Sequence, residues 1–217
     1  MKADKTKRAF ADTLLELFRK YSLDSISTSM IISSSGKNRN TFYYHFPNKS
    51  SLVFWVFRSD LGAQLSKAGD GIDLVYEQED APFCSAPLYA RAITGIRSVN
   101  TSFFLKSLFE VLDGRRSFYE QAFTGACEKD LEQSLFDMLT PCLNDDLDIV
   151  LSRRYLPDND RQFITEFYAS GLIGFIRRHL SSSSQSFDLF KKSSFLSLIT
   201  DSFSYEVEYR LSNRLPR

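Results

Sequence analysis

The stretch that decides the fold runs from Asn38 to Leu52 and reads NRNTFYYHFPNKSSL. Phe42 and Phe46 lie four residues apart, so one helical turn puts both on the side of a small core. Asn38 is a suitable N-cap for this helix, and Pro47 ends it. Asn48 can cap a further helix that begins at Lys49. The stretch therefore predicts two successive helices separated by a short break.

The outward positions of the first of these helices are polar and carry no acidic residue. They hold Arg39, Asn40, Thr41, Tyr43, Tyr44 and His45. Arginine can donate to both guanine acceptors in the major groove, and asparagine can pair with adenine. Tyrosine, threonine and histidine can donate to phosphate oxygens. We predict that this face contacts nucleic acid, although Tyr43 is open to a core role and His45 to a packing or capping role.

Lys49 lies where backbone N–H groups and the helix dipole already favour an anion. A phosphate contact is the prediction for its ammonium, and a solvated lysine is the alternative. Upstream, an apolar stripe over residues 5–21 predicts a first helix, and Ser27 can cap a second. Gly36 can end the second helix in the left-handed conformation. Three short helices with a tight turn at Gly36 have helix-turn-helix proportions.

The charge is divided unevenly along the chain. Residues 1–58 hold 10 Lys/Arg and 4 Asp/Glu, a net charge of +6, whereas residues 59–217 hold 17 and 23, a net charge of −6. A basic end on an acidic body suggests that this end meets a polyanion, with chance fluctuation as the alternative.

Several function classes are disfavoured by what the sequence lacks. It has no G-x-S-x-G, P-loop, glycine-rich dinucleotide loop or metal-ligand spacing, so we expect no enzyme, no metal and no cofactor. Three dispersed cysteines, Cys84, Cys127 and Cys142, fit a reducing compartment. The absence of a bilayer-length apolar run and of a signal peptide predicts a cytoplasmic protein without a membrane partner.

The segment from Thr41 to Leu52 resembles the hallmark of TetR-family transcriptional regulators, T-[FL]-Y-x-H-F followed by [NS]-K and a leucine-bearing helix. The resemblance extends over about residues 5–61. A second segment, 167–176, is similar to a C-terminal segment in one branch of the family. The resemblance implies an all-α fold of about nine helices. It divides into a helix-turn-helix domain (1–48), a connecting helix (49–68) and a helical effector-binding and dimerisation domain (69–217).

The resemblance also implies the residues that meet DNA. They are Ser27, Thr28, Ser29, Asn38, Arg39, Asn40, Thr41, Tyr43, Tyr44, His45 and Lys49. Ser35, Lys37 and Asn40 depart from the family's usual alanine, apolar and small residues at the turn. These departures bear on base preference and leave the helix-turn-helix pattern intact.

The rest of the chain is predicted to be helical. Predicted helices cover 88–99, 101–112, 118–139, 145–155, 161–180 and 187–211, with a connection over 69–87. By resemblance, the last two helices form a homodimer interface, in which Gly171 and Gly174 let another helix approach. In the connecting helix, Phe54, Trp55 and Phe57 are expected to pack the DNA-binding unit against the body.

An aromatic cluster in the body is a candidate effector pocket, with ordinary core as the alternative. Its members are Phe103, Phe104, Phe109, Phe123, Phe163, Phe167 and Tyr168. The resulting hypothesis is a homodimeric regulator, a repressor that binds a palindromic operator in double-stranded DNA and responds to a small apolar effector. The alternative is a co-regulator of the same fold whose body docks a partner protein.

Overall fold

The computed structural model describes residues 2–78, 85–182 and 186–213. Within these ranges the chain forms nine α-helices, three short strands and one 3-10 turn. The helices are α1 (Lys2–Phe18), α2 (Thr28–Ser34), α3 (Arg39–His45), α4 (Lys49–Leu65), α5 (Ser102–Gly114), α6 (Arg116–Thr124), α7 (Glu128–Leu151), α8 (Asp158–Ser181) and α9 (Ser193–Ser212). The strands are β1 (Asp73–Val75), β2 (Tyr89–Gly95) and β3 (Ser98–Asn100), and the 3-10 turn is Phe187–Leu189.

Helices α1 to α3 form a small bundle around three phenylalanines. The Phe10 ring meets those of Phe42 and Phe46 edge-on, at centroid distances of 5.1 and 6.3 Å. The Ser27 side chain accepts from the backbone N–H of Met30, and the Asn38 side chain caps α3 in the same way. Gly36 has φ +65° in the turn between α2 and α3. The predicted helix-turn-helix, its caps and its turn glycine are therefore confirmed.

Helix α4 joins this bundle to the body. Phe57 is fully buried and its ring meets that of Tyr119 at 6.0 Å, and Trp55 is buried beside Phe46. Asp60 accepts from the Arg115 guanidinium at 2.7 Å and from the Tyr119 hydroxyl at 2.8 Å. The expected packing role of the α4 aromatics is confirmed for Trp55 and Phe57, and Phe54 is half-buried against the same core.

The predicted helix over 88–99 is wrong, because this segment forms β2 and β3 of an antiparallel sheet in the order β1-β2-β3. Its apolar residues fall at helical spacing, but several are β-branched or aromatic, which suits a strand. The turn between β2 and β3 uses Arg97 at φ 72° instead of an Asn-Gly pair. The main class, a helical chain with an N-terminal helix-turn-helix, is unchanged by this small sheet.

Further boundaries differ from the prediction. The helix expected over 187–211 is a 3-10 turn followed by α9, which begins at Ser193. The helix expected over 118–139 is interrupted at Gly125, whose backbone is extended. Pro141, expected to break the chain, lies inside α7, which absorbs the segment predicted separately over 145–155. Pro141 is exposed, and the carbonyl freed by its missing N–H can meet solvent. Across the described ranges, none of the helices has the length and apolar character needed to cross a membrane.

The loop between α1 and α2 is fastened to the body at the junction of α6 and α7. The backbone N–H of Leu23 donates to the Gln121 side chain at 2.8 Å, and that of Ala126 donates to Asp24 at 2.9 Å. Gly125 allows this approach, since an added Cβ would lie 2.5 Å from the Asp24 carboxylate and 2.8 Å from the Gln121 carbonyl oxygen. The position of the DNA-binding unit on the body thus depends on a residue without a side chain.

Gly125→Ala is expected to lower the free energy of unfolding by about 1–3 kcal/mol, because the added methyl group displaces Asp24. Urea unfolding of the full chain measures this change. Gly114→Ala is the matched control, since no atom lies within 4 Å of the Cβ it would gain. Equal stabilities of the two variants would contradict the close approach at Gly125.

Candidate DNA-binding surface and body cavity

The outward face of α3 presents polar and aromatic side chains to solvent. Arg39, Asn40, Tyr43 and Tyr44 are exposed, with Tyr44 at 84%. The Arg39 guanidinium lies 5.3 Å from the centroid of the Tyr43 ring, one turn further along the helix. This stacking holds the arginine against α3 and sets the direction from which it would reach a base. The structure places these four predicted residues together on one surface.

His45 is half-buried at the end of α3. Burial lowers the pKa of its imidazole, and the positive charge of Lys7 on α1 lowers it further, against a smaller opposing effect of Asp4. His45 is therefore neutral at pH 7 and offers one ring N–H as a donor. Because the charge of Lys7 acts on His45, the first turns of α1 lie near this surface. Sequence reasoning missed it, although the cluster of Lys2, Lys5, Lys7 and Arg8 was a visible signal.

Three predicted DNA contacts are already engaged within the protein. The Lys49 ammonium donates to the carbonyl oxygens of Leu23 and Ile26, at 2.8 and 3.0 Å. The Asn38 carboxamide oxygen accepts from both the backbone N–H and the hydroxyl of Thr41, at 2.7 and 2.8 Å. Thr41 thus uses its hydroxyl hydrogen locally, and a phosphate contact by Lys49 would use its third N–H. The capping role of Asn38 was predicted from the sequence, whereas the internal hydrogen bonds of Thr41 and Lys49 were not.

The remaining predicted contacts lie at the start of α2. Ser27 and Ser29 are exposed and Thr28 is half-buried. The Ser27 oxygen accepts from the Met30 N–H at 3.2 Å, so its hydroxyl hydrogen stays available to a phosphate. The start of α2 and the exposed face of α3 then form the surface of a helix-turn-helix.

Comparison with known families matches both parts of this architecture. Residues 11–55 match a family described as bacterial regulatory proteins, tetR family, and residues 100–186 match a transcriptional regulator C-terminal region of the same group. The chain belongs to the TetR family of transcriptional regulators. The first match spans α2 and α3, and the second spans α5 to α8, including the segment 167–176.

A solved structure shares the overall fold. The dihydroxyacetone kinase operon activator DhaS is similar with a TM-score of 0.52 and 18% sequence identity, over 94% of this chain and 97% of that chain. At this identity the likeness concerns the fold alone. No protein with curated annotation matches the chain.

The aromatic residues predicted to form an effector pocket do not lie together. Phe104 and Tyr168 line a cavity of about 40 Å³ in the body. Phe109 and Phe123 are fully buried elsewhere in the core, with Phe109 stacked on Phe187, and Phe103 packs half-buried against that core. Phe163 and Phe167 are exposed on α8, at 54% and 61%. The seven-residue pocket is thus corrected to a cavity that only two of its members touch.

Sequence reasoning missed the polar residues of this cavity. Asp146 on α7 is buried, accepts from the Tyr89 hydroxyl at 2.7 Å and from the Arg91 guanidinium at 2.6 Å, and lines the cavity. Burial raises the pKa of its carboxyl to about 6, an effect that Asp145 strengthens and that Tyr89 and Arg91 oppose. Burial and Asp146 likewise raise the pKa of Cys142, which shares this region of α7.

The raised pKa of Asp146 predicts a specific pH dependence of stability. Its folded-state pKa of about 6 exceeds the ordinary 3.8, so the folded state binds the proton more tightly. The stabilisation is complete below pH 3.8 and is lost as pH rises through about 6. We expect titration of this group to lower the free energy of unfolding by up to about 3 kcal/mol as the pH rises through this range. Asp146→Asn should flatten the dependence of that free energy on pH. Urea unfolding of the parent chain and of Asp146→Asn from about pH 4 to 7 tests this. Equal dependence of stability on pH in the two proteins would contradict it.

The face of α8 that points away from the body combines aromatic rings with glycines. Phe163 and Phe167 are stacked on it at 6.0 Å, and Gly171 and Gly174 continue it with open space where a side chain would lie. The exposed face of α9 carries Leu198, Tyr205 and Tyr209. Exposed apolar and aromatic side chains grouped on a helix face are typical of interaction sites in proteins.

Proposed function

We propose that the chain is a homodimeric transcriptional repressor that binds a palindromic operator in double-stranded DNA, acts in the cytoplasm and responds to a small effector. The observation that carries this proposal is the acid-free exposed face of α3, attached to a basic unit of the TetR family. Arg39 and Asn40 read base edges, and Tyr43, Tyr44 and His45 hold the phosphate backbone. Thr28 and Ser29 face the backbone and the bases at the start of α2. Ser27 and Asn38 cap the two helices from the same surface, and Thr41 and Lys49 support it.

The dimer forms through α8 and α9. The exposed rings of Phe163 and Phe167 and the open glycines of α8 support this assignment, because glycine lets two helix axes approach closely. One short recognition helix contacts only a few base pairs. Two copies reach half-sites about 34–36 Å apart, or a multiple of that spacing. An effector in the body then shifts the population between conformers with different recognition-helix separations.

Selection of bound duplexes from a random DNA pool tests the proposal. The purified full chain is used at a fixed salt concentration of about 0.15 M, since phosphate contacts make affinity salt-dependent. We expect enrichment of a palindromic consensus. Recovery of sequences indistinguishable from the input pool would overturn operator reading.

Arg39→Ala is expected to relax base preference at one operator position and cost about 1–3 kcal/mol of binding there. The loss arises because alanine cannot donate to guanine. Competition binding with operator and random duplexes at equal salt separates this from a phosphate contact. Lys37→Ala, a change of an exposed cation in the adjacent turn, is the control expected to weaken both duplexes similarly. Equal losses on both duplexes for Arg39→Ala would rule out its role as a base reader.

A second candidate is a co-regulator that keeps the fold and docks a partner protein. The polar departures at Ser35, Lys37 and Asn40 favour it, as does the tip of the β2–β3 hairpin, where Ile93 and Ile96 are exposed at 56% and 88%. In the selection experiment, a co-regulator would bind all duplexes with similar affinity, so that its specificity ratio would be near one. Substituting Ile96→Asp would abolish its partner binding but leave an operator reader unaffected.

A further inference from the structure

The body cavity has predominantly apolar walls drawn from both strands and helices. Val99 of β3, Phe104 of α5, Leu139 of α7, Leu172 of α8 and Phe203 of α9 all face it. Its volume of about 40 Å³ is well below the roughly 150 Å³ of an apolar cavity that holds benzene. In this conformation the space suits a molecule of a few heavy atoms.

The hydroxyl groups of Tyr89 and Tyr168, which line the cavity, both donate their hydrogens to other protein groups. The Tyr89 hydroxyl donates to Asp146 at 2.7 Å. The Tyr168 hydroxyl donates to the Ser202 oxygen at 3.1 Å, and Ser202 in turn donates to the Ile199 carbonyl oxygen at 3.0 Å. Each tyrosine oxygen therefore keeps only its acceptor capacity.

Two threonines in the cavity wall, Thr101 and Thr200, also use their hydroxyl hydrogens within the protein. The Thr200 hydroxyl donates to the Leu196 carbonyl oxygen at 3.1 Å. Its oxygen also lies 3.3 Å from the Thr101 oxygen. Because the Thr200 hydrogen is directed to the Leu196 carbonyl oxygen, we assign Thr101 as the donor in this contact. The Thr101 oxygen then has both lone pairs available.

The remaining polar group is the Asp146 carboxylate, which is an acceptor when ionised. Its partner Arg91 is also 3.6 Å from Asp145 and 3.8 Å from Asp73. One guanidinium thus faces three carboxylates, so the surroundings are negative and disfavour an anion. Among the described side chains that line the cavity, all hydroxyl hydrogens are engaged and the available positions are acceptors.

We propose that this cavity binds a small, largely apolar molecule that carries a hydrogen-bond donor, a hydroxyl or amino group, and that it discriminates against isosteric ketones and carboxylates. The donor meets the Thr101–Thr200 pair, because a buried acceptor left without a donor is penalised. The role of such a molecule as an effector rests on the proposed function, whereas the selectivity rests on the hydrogen-bond directions and on the negative charge around Asp146.

Four probes of equal heavy-atom count test the selectivity on the full chain: 2-propanol, acetone, 2-propylamine and acetate. Each is titrated into protein labelled at leucine and valine methyl groups, and the NMR shifts of Val99, Leu139 and Leu172 give the dissociation constants. We expect 2-propanol to bind about 5- to 10-fold more tightly than acetone, and acetate to leave these signals unmoved. Comparison of 2-propanol with 2-propylamine identifies the preferred donor. Equal binding of alcohol and ketone, or tighter binding of the ketone, would overturn the proposal.

Thr101→Val keeps the shape of the side chain and removes the acceptor. We expect it to bring the alcohol and the ketone within about twofold of each other while the ketone affinity stays constant. Thr124→Val is the matched control, since that hydroxyl is exposed on α6 and donates to the Glu120 carbonyl oxygen. Thr200→Val provides a second test of the pair. An unchanged alcohol preference in both cavity variants would overturn the assigned acceptors.

The outcome is distinguishable from that of the proposed function. Alcohol selectivity without operator enrichment would overturn operator reading and leave the cavity chemistry standing. Operator enrichment without alcohol selectivity would overturn the cavity chemistry and leave operator reading standing. Binding of 2-propanol that changes operator affinity would link the two.

Discussion

Replacing Arg91 by methionine is expected to lower the free energy of unfolding by about 3–5 kcal/mol at pH 7. Arg91 is buried in β2 and donates to the buried Asp146 at 2.6 Å. Methionine fills much of the same space but leaves the carboxylate without its cation. An unpaired buried charge accounts for most of such a loss. Urea unfolding of the full chain measures it.

The double variant Arg91→Met/Asp146→Asn distinguishes a lost charge partner from lost packing. Removing both charges is expected to recover more than half of the loss, since a buried pair replaced as a unit is often nearly neutral. Lowering the pH is expected to rescue the single variant, because protonation of Asp146 removes the same charge. Arg177→Met is the control, as its ion pairs with Glu128 and Glu132 are at the surface and such pairs are worth about 0–1 kcal/mol. A double variant as unstable as the single one would contradict the electrostatic explanation.

The helix-turn-helix was predictable because its signals are local. Ser27 and Asn38 cap helices only a few residues away, and Gly36 adopts the left-handed backbone that ends α2. The spacing of Phe42 and Phe46 fixes which side of α3 is buried, and hence which side is left for DNA. Each of these features depends on contacts within a short stretch of chain.

The sheet was not predictable in this way, because distant residues hold it. The fully buried Arg58 of α4 donates to the Pro87 carbonyl oxygen at 3.1 Å and to Glu77 at 3.1 Å. Gly62 lets the Ala86 side chain approach α4 so closely that an added Cβ would lie 2.9 Å from it. These tertiary contacts place the segment before β2 against α4, and they override the helical spacing of residues 88–99.

The sequence indicates which residue types face outward on α3, but it does not indicate the partners that the predicted side chains meet. Nothing near Lys49 in the sequence indicates that its ammonium would meet the carbonyl oxygens of Leu23 and Ile26, more than twenty residues away. In the body, aromatic composition favoured Phe163 and Phe167 as pocket residues. Both are exposed, because α8 packs on α7 through its other side. The polar groups of the cavity are scattered from Tyr89 to Thr200, so no motif joins them.

Gly171→Leu is expected to leave the chain folded but monomeric, and to weaken operator binding by about 100-fold or more. No atom lies within 4 Å of the Cβ that this change adds, and leucine favours a helix over glycine by about 0.5–1 kcal/mol. The monomer should therefore be as stable as the parent chain or more so. In the proposed dimer, the same side chain would hold the two α8 helices apart, and the second half-site would lose its tethered partner.

Sedimentation velocity and operator binding, measured on the same samples, test this expectation. Gly114→Leu is the matched control, because it makes the same change at the exposed end of α5, where an added Cβ also meets open space. A dimeric Gly171→Leu protein with unchanged operator affinity would place the interface elsewhere. A monomeric protein that still binds the full operator as tightly as its parent would show that recognition does not need two copies. Loss of both properties in Gly171→Leu, with both retained in Gly114→Leu, would tie operator reading to the exposed glycine face of α8.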